Sequence, residues 1–271
     1  PSFKEVKKYL DKYNDEYIVI KCGGSVLIDK KLFDIFIKDI ATLNKLGFVP
    51  IIVHGGGKRI NNKLNELGIK SEFIKGLRVT KKETIQIVEE VLIEFNKEIV
   101  ASLDKQNCKS QSINCRENNI FSVVQDNEEL GFVGSPKAID KFTIDKIVNL
   151  KKVPVIAPLG LNTKNQIFNI NADTAAGSIA KELKARRLVI MSDVEGVLDD
   201  NNKLIPEINS NSIKDLIHNE TITGGMIPKI NNCLDVASNG VKGVVIIDGR
   251  KNHSLLFELL SDKGSGTLIR K

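Results

Sequence analysis

"PIIVHGGGKRI", residues Pro50 to Ile60, carries a β-branched run into three consecutive glycines and leaves along a helix-like stretch. A strand-to-helix turn is satisfied by one glycine, so the surplus suggests that something approaches the main chain closely. A helix N-terminus at that point offers unpaired N–H groups and a partial positive charge, and the expected visitor is an anion. The pattern is not the phosphate-cradling GxxxxGK[ST], because no Ser or Thr follows Lys58, and it is not GxGxxG. By itself the triple glycine is equally a plain turn, and His54 just before it reads as a packed polar side chain ahead of a base.

Outward from this turn, strand and helix patterns alternate almost throughout. "YIVIKC", "FVPIIVH", "VPVIAPL", "RLVIMSD" and "GVVIID" are short β-rich runs, most of them separated by helix-like stretches such as "KLFDIFIKDIATLNKL" and "TKKETIQIVEEVLIEFNKEIVASLDK". The alternation predicts an α/β fold, a three-layer αβα sandwich around an open, mainly parallel sheet. Ligands of such sheets sit beyond the carboxyl ends of the strands, where the glycine turn lies. "NNIFSVVQDNEELGFVGS" interrupts the pattern with two strand-like runs around a polar turn and predicts a projecting hairpin. With no repeat and no linker, the 271 residues read as one bilobed domain, with an N-lobe of about 1–182 and a C-lobe of about 183–271.

Composition narrows the function. No apolar run reaches the roughly 18 residues of a membrane span, and the amphipathic start "PSFKEVKKYLDKY" is unlike a signal segment, so a cytoplasmic protein is expected. Cys22, Cys108, Cys115 and Cys233 lack metal-site spacing and read as reduced structural thiols. The net charge of +6, from 40 basic and 34 acidic residues, is spread along the chain without a basic block, which suits small anionic metabolites over nucleic acid.

A second glycine turn, "VIKCGGSVL", places Lys21 at the end of the first strand, followed by Gly23, Gly24 and Ser25. Lys21 either snorkels to solvent or is held in the crevice by an anion, since an unpaired buried ammonium costs several kcal/mol. Arg78 in "GLRVT" is a surface arginine or a bidentate carboxylate holder. Asp173 in "FNINADTAAGSIAK" caps a helix or serves the crevice, and "MSDVEGVLDD" carries polar groups at another strand end. "TGGMIPKI" could aim Lys229 at the same place.

Taken together, "KCGGS", "VHGGGKRI", "GLRVT", "NINADTAA", "SDVEGVL" and "TGGMIPK", in this order, make the chain resemble the amino acid kinase family over nearly its whole length. The resemblance is to the branch that transfers the γ-phosphoryl group of ATP to the side-chain carboxylate of N-acetyl-L-glutamate, the second step of arginine biosynthesis. It implies that Lys21 and Lys229 stabilise the transferring group while Asp173 organises the two ammonium groups. It implies further that Gly56 and Gly57 supply backbone donors, and that Arg78 and Asn169 hold the amino acid. Gly23, Gly24, the run Asp193, Val194, Glu195, Gly196, Val197 and Leu198, and Thr221, Ile222 and Thr223 would line the nucleotide site. Mg²⁺ is expected between the β and γ phosphates without a direct protein ligand. A carboxylate with a pKa near 4.3 is already ionised at neutral pH, so the chemistry needs cations and aimed N–H groups and no general base.

The resemblance also implies an arginine-inhibited hexamer, a trimer of dimers. Phe3, Val6, Leu10 and Tyr13 recur at helical spacing and predict an amphipathic helix over residues 3–13, outside the core sheet. It would dock on its own subunit or link dimers, with L-arginine bound beside it near Glu258, Gly264 and Gly266. A sister kinase with another acceptor, or a non-catalytic sensor of the same fold, stays open as an alternative.

Overall fold

The computed structural model describes residues 2–223 and 226–271, with the side chain of residue 228 also outside the description. The two glycines of "TGGMIPK" therefore lie outside the described residues, as does the side chain of its proline. In chain order, α1 (Phe3–Tyr13) precedes β1 (Tyr17–Cys22), α2 (Lys30–Lys45), β2 (Val49–His54) and α3 (Gly57–Glu66). A short ribbon of β3 (Phe73–Ile74) and β4 (Leu77–Arg78) leads into α4 (Ile85–Lys105). Next come β5 (Ser110–Ile113), β6 (Phe121–Gln125), β7 (Gly134–Ile139), α5 (Lys141–Asn149) and β8 (Val153–Ile156). Then follow β9 (Leu159–Leu161), β10 (Ile167–Asn169), α6 (Ala172–Glu182), β11 (Arg187–Ser192), β12 (Glu207–Asn209) and α7 (Ser210–His218). The chain closes with α8 (Met226–Ser238), β13 (Val244–Asp248), α9 (Ser254–Leu260) and β14 (Gly266–Arg270).

The main sheet runs β12-β14-β13-β11-β1-β2-β8-β5, parallel except for the antiparallel pair β13 and β14. Its central strands are buried on both faces, and the period of two assigns alternate residues to opposite layers. Val19, Ile51, Val53, Leu188 and Ile190 pack under α5, α6 and α8, while Ile18, Ile20, Ile52, Val189 and Met191 pack under α2, α4 and α9. A smaller cluster of Ile60, Leu64, Val88 and Leu92 joins α3 to α4.

The expected hairpin is present, since β6 pairs antiparallel with β7 across the polar turn. It belongs to a four-stranded second sheet, β10-β9-β6-β7, that the sequence reading lacked. "VPVIAPL" was expected as one strand, but β8 ends at Ile156 and Leu159 starts β9 in the other sheet. Pro158 between them has no N–H for a ladder, and its carbonyl accepts from Ile170 N–H instead. Helix α1 covers residues 3–13 as expected, closed by a capping box between Ser2 and Glu5. Among the described residues no helix is long and apolar enough to cross a membrane.

Candidate active site

Strands β11, β1 and β2 are neighbours in register, with Lys21 level with Val53 and Ile190. Their carboxyl ends therefore bring three turns together: that after Lys21, the triple glycine, and the segment after Ser192. A cavity of about 350 Å³ opens there, lined by Lys21, Gly24, Gly56, Gly57 and Lys58 together with Arg78, Asn169 and Asp173.

The glycines of the opening stretch separate in role. A Cβ on Gly56 would lie 2.5 Å from Leu92 Cδ2, so this position is bare because α4 packs against it. A Cβ on Gly57 would meet nothing within 4 Å, so packing does not require the glycine there. Gly57 begins α3, whose N-cap Gly56 supplies no side-chain hydrogen bond, and the helix presents uncapped N–H groups and its positive end. Gly24 sits at φ +65°, the left-handed region, and this turn delivers Ser25 N–H to Asp193 Oδ1 at 2.7 Å.

His54 is wholly buried and edge-on to Phe95. Its Nδ1 lies 3.0 Å from the Gly55 carbonyl oxygen and its Nε2 3.1 Å from Asn96 Nδ2, so Nδ1–H donates and Nε2 accepts. Burial pushes its pKa down to about 4, the Gly55 carbonyl opposing only in part. It is neutral, fully engaged and packed, the first of the two readings above.

Asp173, in the first turn of α6, lies between two ammonium groups: Lys21 Nζ is 3.1 Å from Oδ1 and Lys229 Nζ is 3.8 Å from Oδ2. The three side chains are 12%, 19% and 22% exposed for Lys21, Lys229 and Asp173, so they are sheltered but reachable. Burial would raise the Asp173 carboxyl, but the charges of Lys21 and Lys229 outweigh it and hold the group below the usual carboxylate range. Helix capping is done by Asn171, which accepts from the N–H groups of Asp173 and Thr174, and this leaves the Asp173 side chain for the lysines. Lys229 also donates to Ser192 Oγ at 3.1 Å, tying α8 to the end of β11.

In the same cavity Arg78 is buried over the Phe73 ring, 4.8 Å from its centre, and donates to Ser71 Oγ and the Gly57 carbonyl, both at 3.0 Å. Burial lowers its pKa without threatening its charge. Asn169, at the end of β10, donates to Thr80 Oγ1 at 3.3 Å.

The segment 193–198 leaves β11 with Asp193 turned back to Ser25 and Lys58, and Glu195 paired with Lys251 at 3.0 Å. Val194 and Leu198 are partly exposed, whereas Val197 is buried and donates its N–H to Thr267 Oγ1 at 2.8 Å. Gly196 stands at φ +141° against Thr267 and Leu204. Thr221 and Thr223 are accessible, but the Ile222 side chain is in the core, which leaves only its backbone for a ligand. Gly23 lies directly over the Lys21 ammonium, where a Cβ would displace it.

The profile of the amino acid kinase family matches residues 16–248. The chain belongs to the amino acid kinase family. It is 71% identical to the acetylglutamate kinase of Pelagibacter ubique (strain HTCC1062) over 271 residues, which cover 100% of this chain and 94% of the relative. It is 44% identical to that of Campylobacter fetus subsp. fetus (strain 82-40) over 264 residues, covering 97% and 94%. These relatives place it in the acetylglutamate kinase branch of the family. Among solved structures, N-acetylglutamate synthase from Neisseria gonorrhoeae complexed with coenzyme A and N-acetyl-glutamate matches with a TM-score of 0.87 at 22% identity. That match covers 100% of this chain, which spans 64% of the synthase's length. The same synthase complexed with coenzyme A and L-arginine gives 0.86 at 21% identity over 100% and 66%. Both likenesses are of fold.

In this amino acid kinase the structure brings Lys21, Asp173 and Lys229 into one cluster and sets Gly56, Gly57, Arg78 and Asn169 around one cavity. Sequence reading passed over Lys58, Ser25, Ser192 and Asn171. Lys58 carried a usable signal, a cation in the first turn of a helix where carboxylates are favoured. Glu258, Gly264 and Gly266 lie apart, on α9, just before β14 and at the first residue of β14. Glu258 Oε2 accepts from Ser265 N–H at 2.8 Å, and burial raises its pKa. Gly264 at φ +64° leaves no side chain against that carboxylate. The missing side chain of Gly266 admits the Ile246 carbonyl, so it serves the pairing of β14 with β13.

Proposed function

We propose that this chain transfers the γ-phosphoryl group of ATP to the side-chain carboxylate of N-acetyl-L-glutamate, giving ADP and N-acetyl-L-glutamyl 5-phosphate, in arginine biosynthesis. The observation that supports it best is Asp173 held between Lys21 and Lys229 beside an uncapped helix N-terminus. A carboxylate oxygen attacks the γ phosphorus and forms the new O–P bond, while the bond to the β-bridging oxygen breaks and ADP leaves with that electron pair. No proton moves, so no base is needed, in keeping with a neutral His54 whose two nitrogens are engaged.

The obstacle is repulsion between two anions. Lys21 and Lys229 oppose it from two sides of the phosphoryl, Asp173 spaces the ammonium groups, and the N–H groups of Gly56 and Gly57 receive oxygen. Arg78 and Asn169 take the α-carboxylate end of the amino acid, in an N-lobe of about 1–182. Segments 193–198 and 221–223, with Gly23 and Gly24, take the nucleotide in a C-lobe of about 183–271. Mg²⁺ fits as a companion of the nucleotide, with phosphate and water oxygens as ligands, because Asp173 is committed to two lysines and Asp193 to Lys58 and Ser25. When bound it neutralises charge on the β and γ phosphates. The work is cytoplasmic, where ATP is supplied and the four free thiols stay reduced.

L-Arginine, the pathway product, is proposed as an inhibitor bound beside α1. Glu258 offers a carboxylate for its guanidinium, and Lys12, Arg186 and Arg270 lie near enough to act on one another and on a ligand carboxylate. It would inhibit by binding an open lobe arrangement more tightly than a closed one. The assembly proposed is a hexamer of three dimers.

The decisive measurement is ADP release with N-acetyl-L-glutamate, N-acetyl-aminoadipate, aspartate and UMP in parallel. Turnover with the first alone is expected. A preference for the aminoadipate derivative, one methylene longer, would move the reading to a sister kinase, and no turnover at all would favour a sensor.

A further inference from the structure

The strongest unassigned feature is Lys58, the second residue of α3. Its side chain reaches from the end of β2 across β1 to the end of β11, where Nζ lies 2.8 Å from Asp193 Oδ2 and 3.0 Å from Ser25 Oγ. Adjacent strands are about 4.8 Å apart, so the crossing spans roughly two strand spacings and needs a long side chain. Asp193 also accepts from Ser25 N–H, and the three strand-end turns meet on this one carboxylate. Burial would raise the Asp193 carboxyl, but the bonds from Lys58 and Ser25 hold it down and ionised.

Stability does not account for this placement. The pair is 41% and 34% exposed, and ion pairs so open to solvent contribute little to stability. A cation in a first helical turn is opposed by the helix dipole, and α3 has no acidic residue there to offset it. Lys21, Lys58 and Arg78 line one cavity with Asp173, while Lys229 approaches Asp173 and Asp193 holds Lys58, so cations outnumber carboxylates among these described groups. An ammonium carries three donors, and two of those on Lys58 are used, which leaves one for the cavity that this residue lines.

We propose that Lys58 is a third phosphate-facing cation of this site, positioned by Asp193 and Ser25 to take the β and γ phosphates of the nucleotide. The inference rests on the phosphoryl-transfer reading above. It differs from the roles of Lys21 and Lys229 in that Lys58 stands between the nucleotide segment 193–198 and the glycine turn. It therefore bridges the side that delivers the phosphoryl group and the side that receives it.

The test uses the full chain with Lys58→Ala and Lys58→Arg, each checked for an unchanged melting temperature. Calorimetric titration with Mg²⁺-ATP and with AMP separates phosphate contact from general integrity of the nucleotide site. Lys58→Ala should weaken ATP by about tenfold or more and leave AMP within about twofold, with Lys58→Arg recovering most of the loss. The KM for ATP should follow the same order in ADP-release assays. Equal weakening of ATP and AMP, or no change in either, overturns the proposal, as does a wild-type chain that binds neither. If wild-type chain binds ATP yet turns over no acylated amino acid, the acceptor assignment fails while the ATP-to-AMP comparison still decides Lys58.

Discussion

Lys229 meets Asp173 and Ser192 among the described contacts, so its ammonium is aimed by the end of β11 and by a carboxylate that lines the cavity. If it acts on charge that develops during transfer, Lys229→Ala should lower kcat about a hundredfold or more, matching ~3 kcal/mol for a lost electrostatic donor. A variant with unchanged kcat would remove Lys229 from the chemistry. Arg78 lines the cavity, held by Ser71 and the Gly57 carbonyl, with no bond to the Asp173 cluster among the described residues, and Arg78→Ala should raise KM for the amino acid by about ten- to a hundredfold while ATP affinity holds. Parallel loss of ATP affinity would refute that division of labour. Lys21, Arg78 and Asp173 were legible in the chain as candidates, each with a bland alternative, and it was the set of motifs in order that singled them out. The pairing of Lys58 with Asp193 was not, because it joins residues 135 apart and depends on which strands are neighbours.

Helix α1 was legible from its spacing alone, but its seat was not. Tyr13 is buried against Phe48 in the main core, and Lys8 and Tyr9 both reach Asp262 beyond α9. Deleting residues 1–13 would therefore uncover Phe48 and cost about 3–5 kcal/mol, as truncation of a buried aromatic does. Phe3 is 87% exposed and supplies a cleaner probe of assembly. Phe3→Asp should yield active dimers at an unchanged melting temperature; light scattering that still finds the wild-type mass would exclude this end of the helix from the interface. Lys12 adds a pH signature. Burial, with the charges of Arg187, Arg186, Arg270 and Lys8, lowers its pKa from 10.5 to about 8. Between those values the unfolded chain binds the extra proton, so its contribution grows more favourable as pH rises from 8 towards 10.5. Lys12→Met should accordingly raise the melting temperature most at pH 8 and below, with the gain shrinking toward pH 10.5. A gain independent of pH would assign the effect to packing.

The four cysteines set a broader response. Burial pushes the thiols of Cys22, Cys115 and Cys233 up from 9.0 to about 12 and that of Cys108 to about 11. Their folded pKa values exceed the unfolded ones, so this stability is complete below pH 9 and is lost as pH rises toward 12. Denaturation midpoints under reducing conditions should fall from about pH 9 upward, less steeply for a Cys22→Ala, Cys233→Ala double variant. Identical slopes would show that the thiols do not carry the effect. Activity across an arginine titration, alongside light scattering, tests regulation: a dimer indifferent to millimolar arginine would end the hexamer proposal. By itself the chain's alternation of buried strands and amphipathic helices determined a parallel α/β sandwich, because strand and helix periods are local and follow from where each side chain must point. The same local logic marked the glycine turns, Lys21 at the end of the first strand and the N-terminal helix. Tertiary structure was needed for the second sheet and for the antiparallel β14, since pairing between strands far apart in sequence depends on loop closure and on neighbours that no local window contains. It was needed equally for Asp173 between Lys21 and Lys229, because three charges from β1, α6 and α8 become one site only when the strand order brings their ends together.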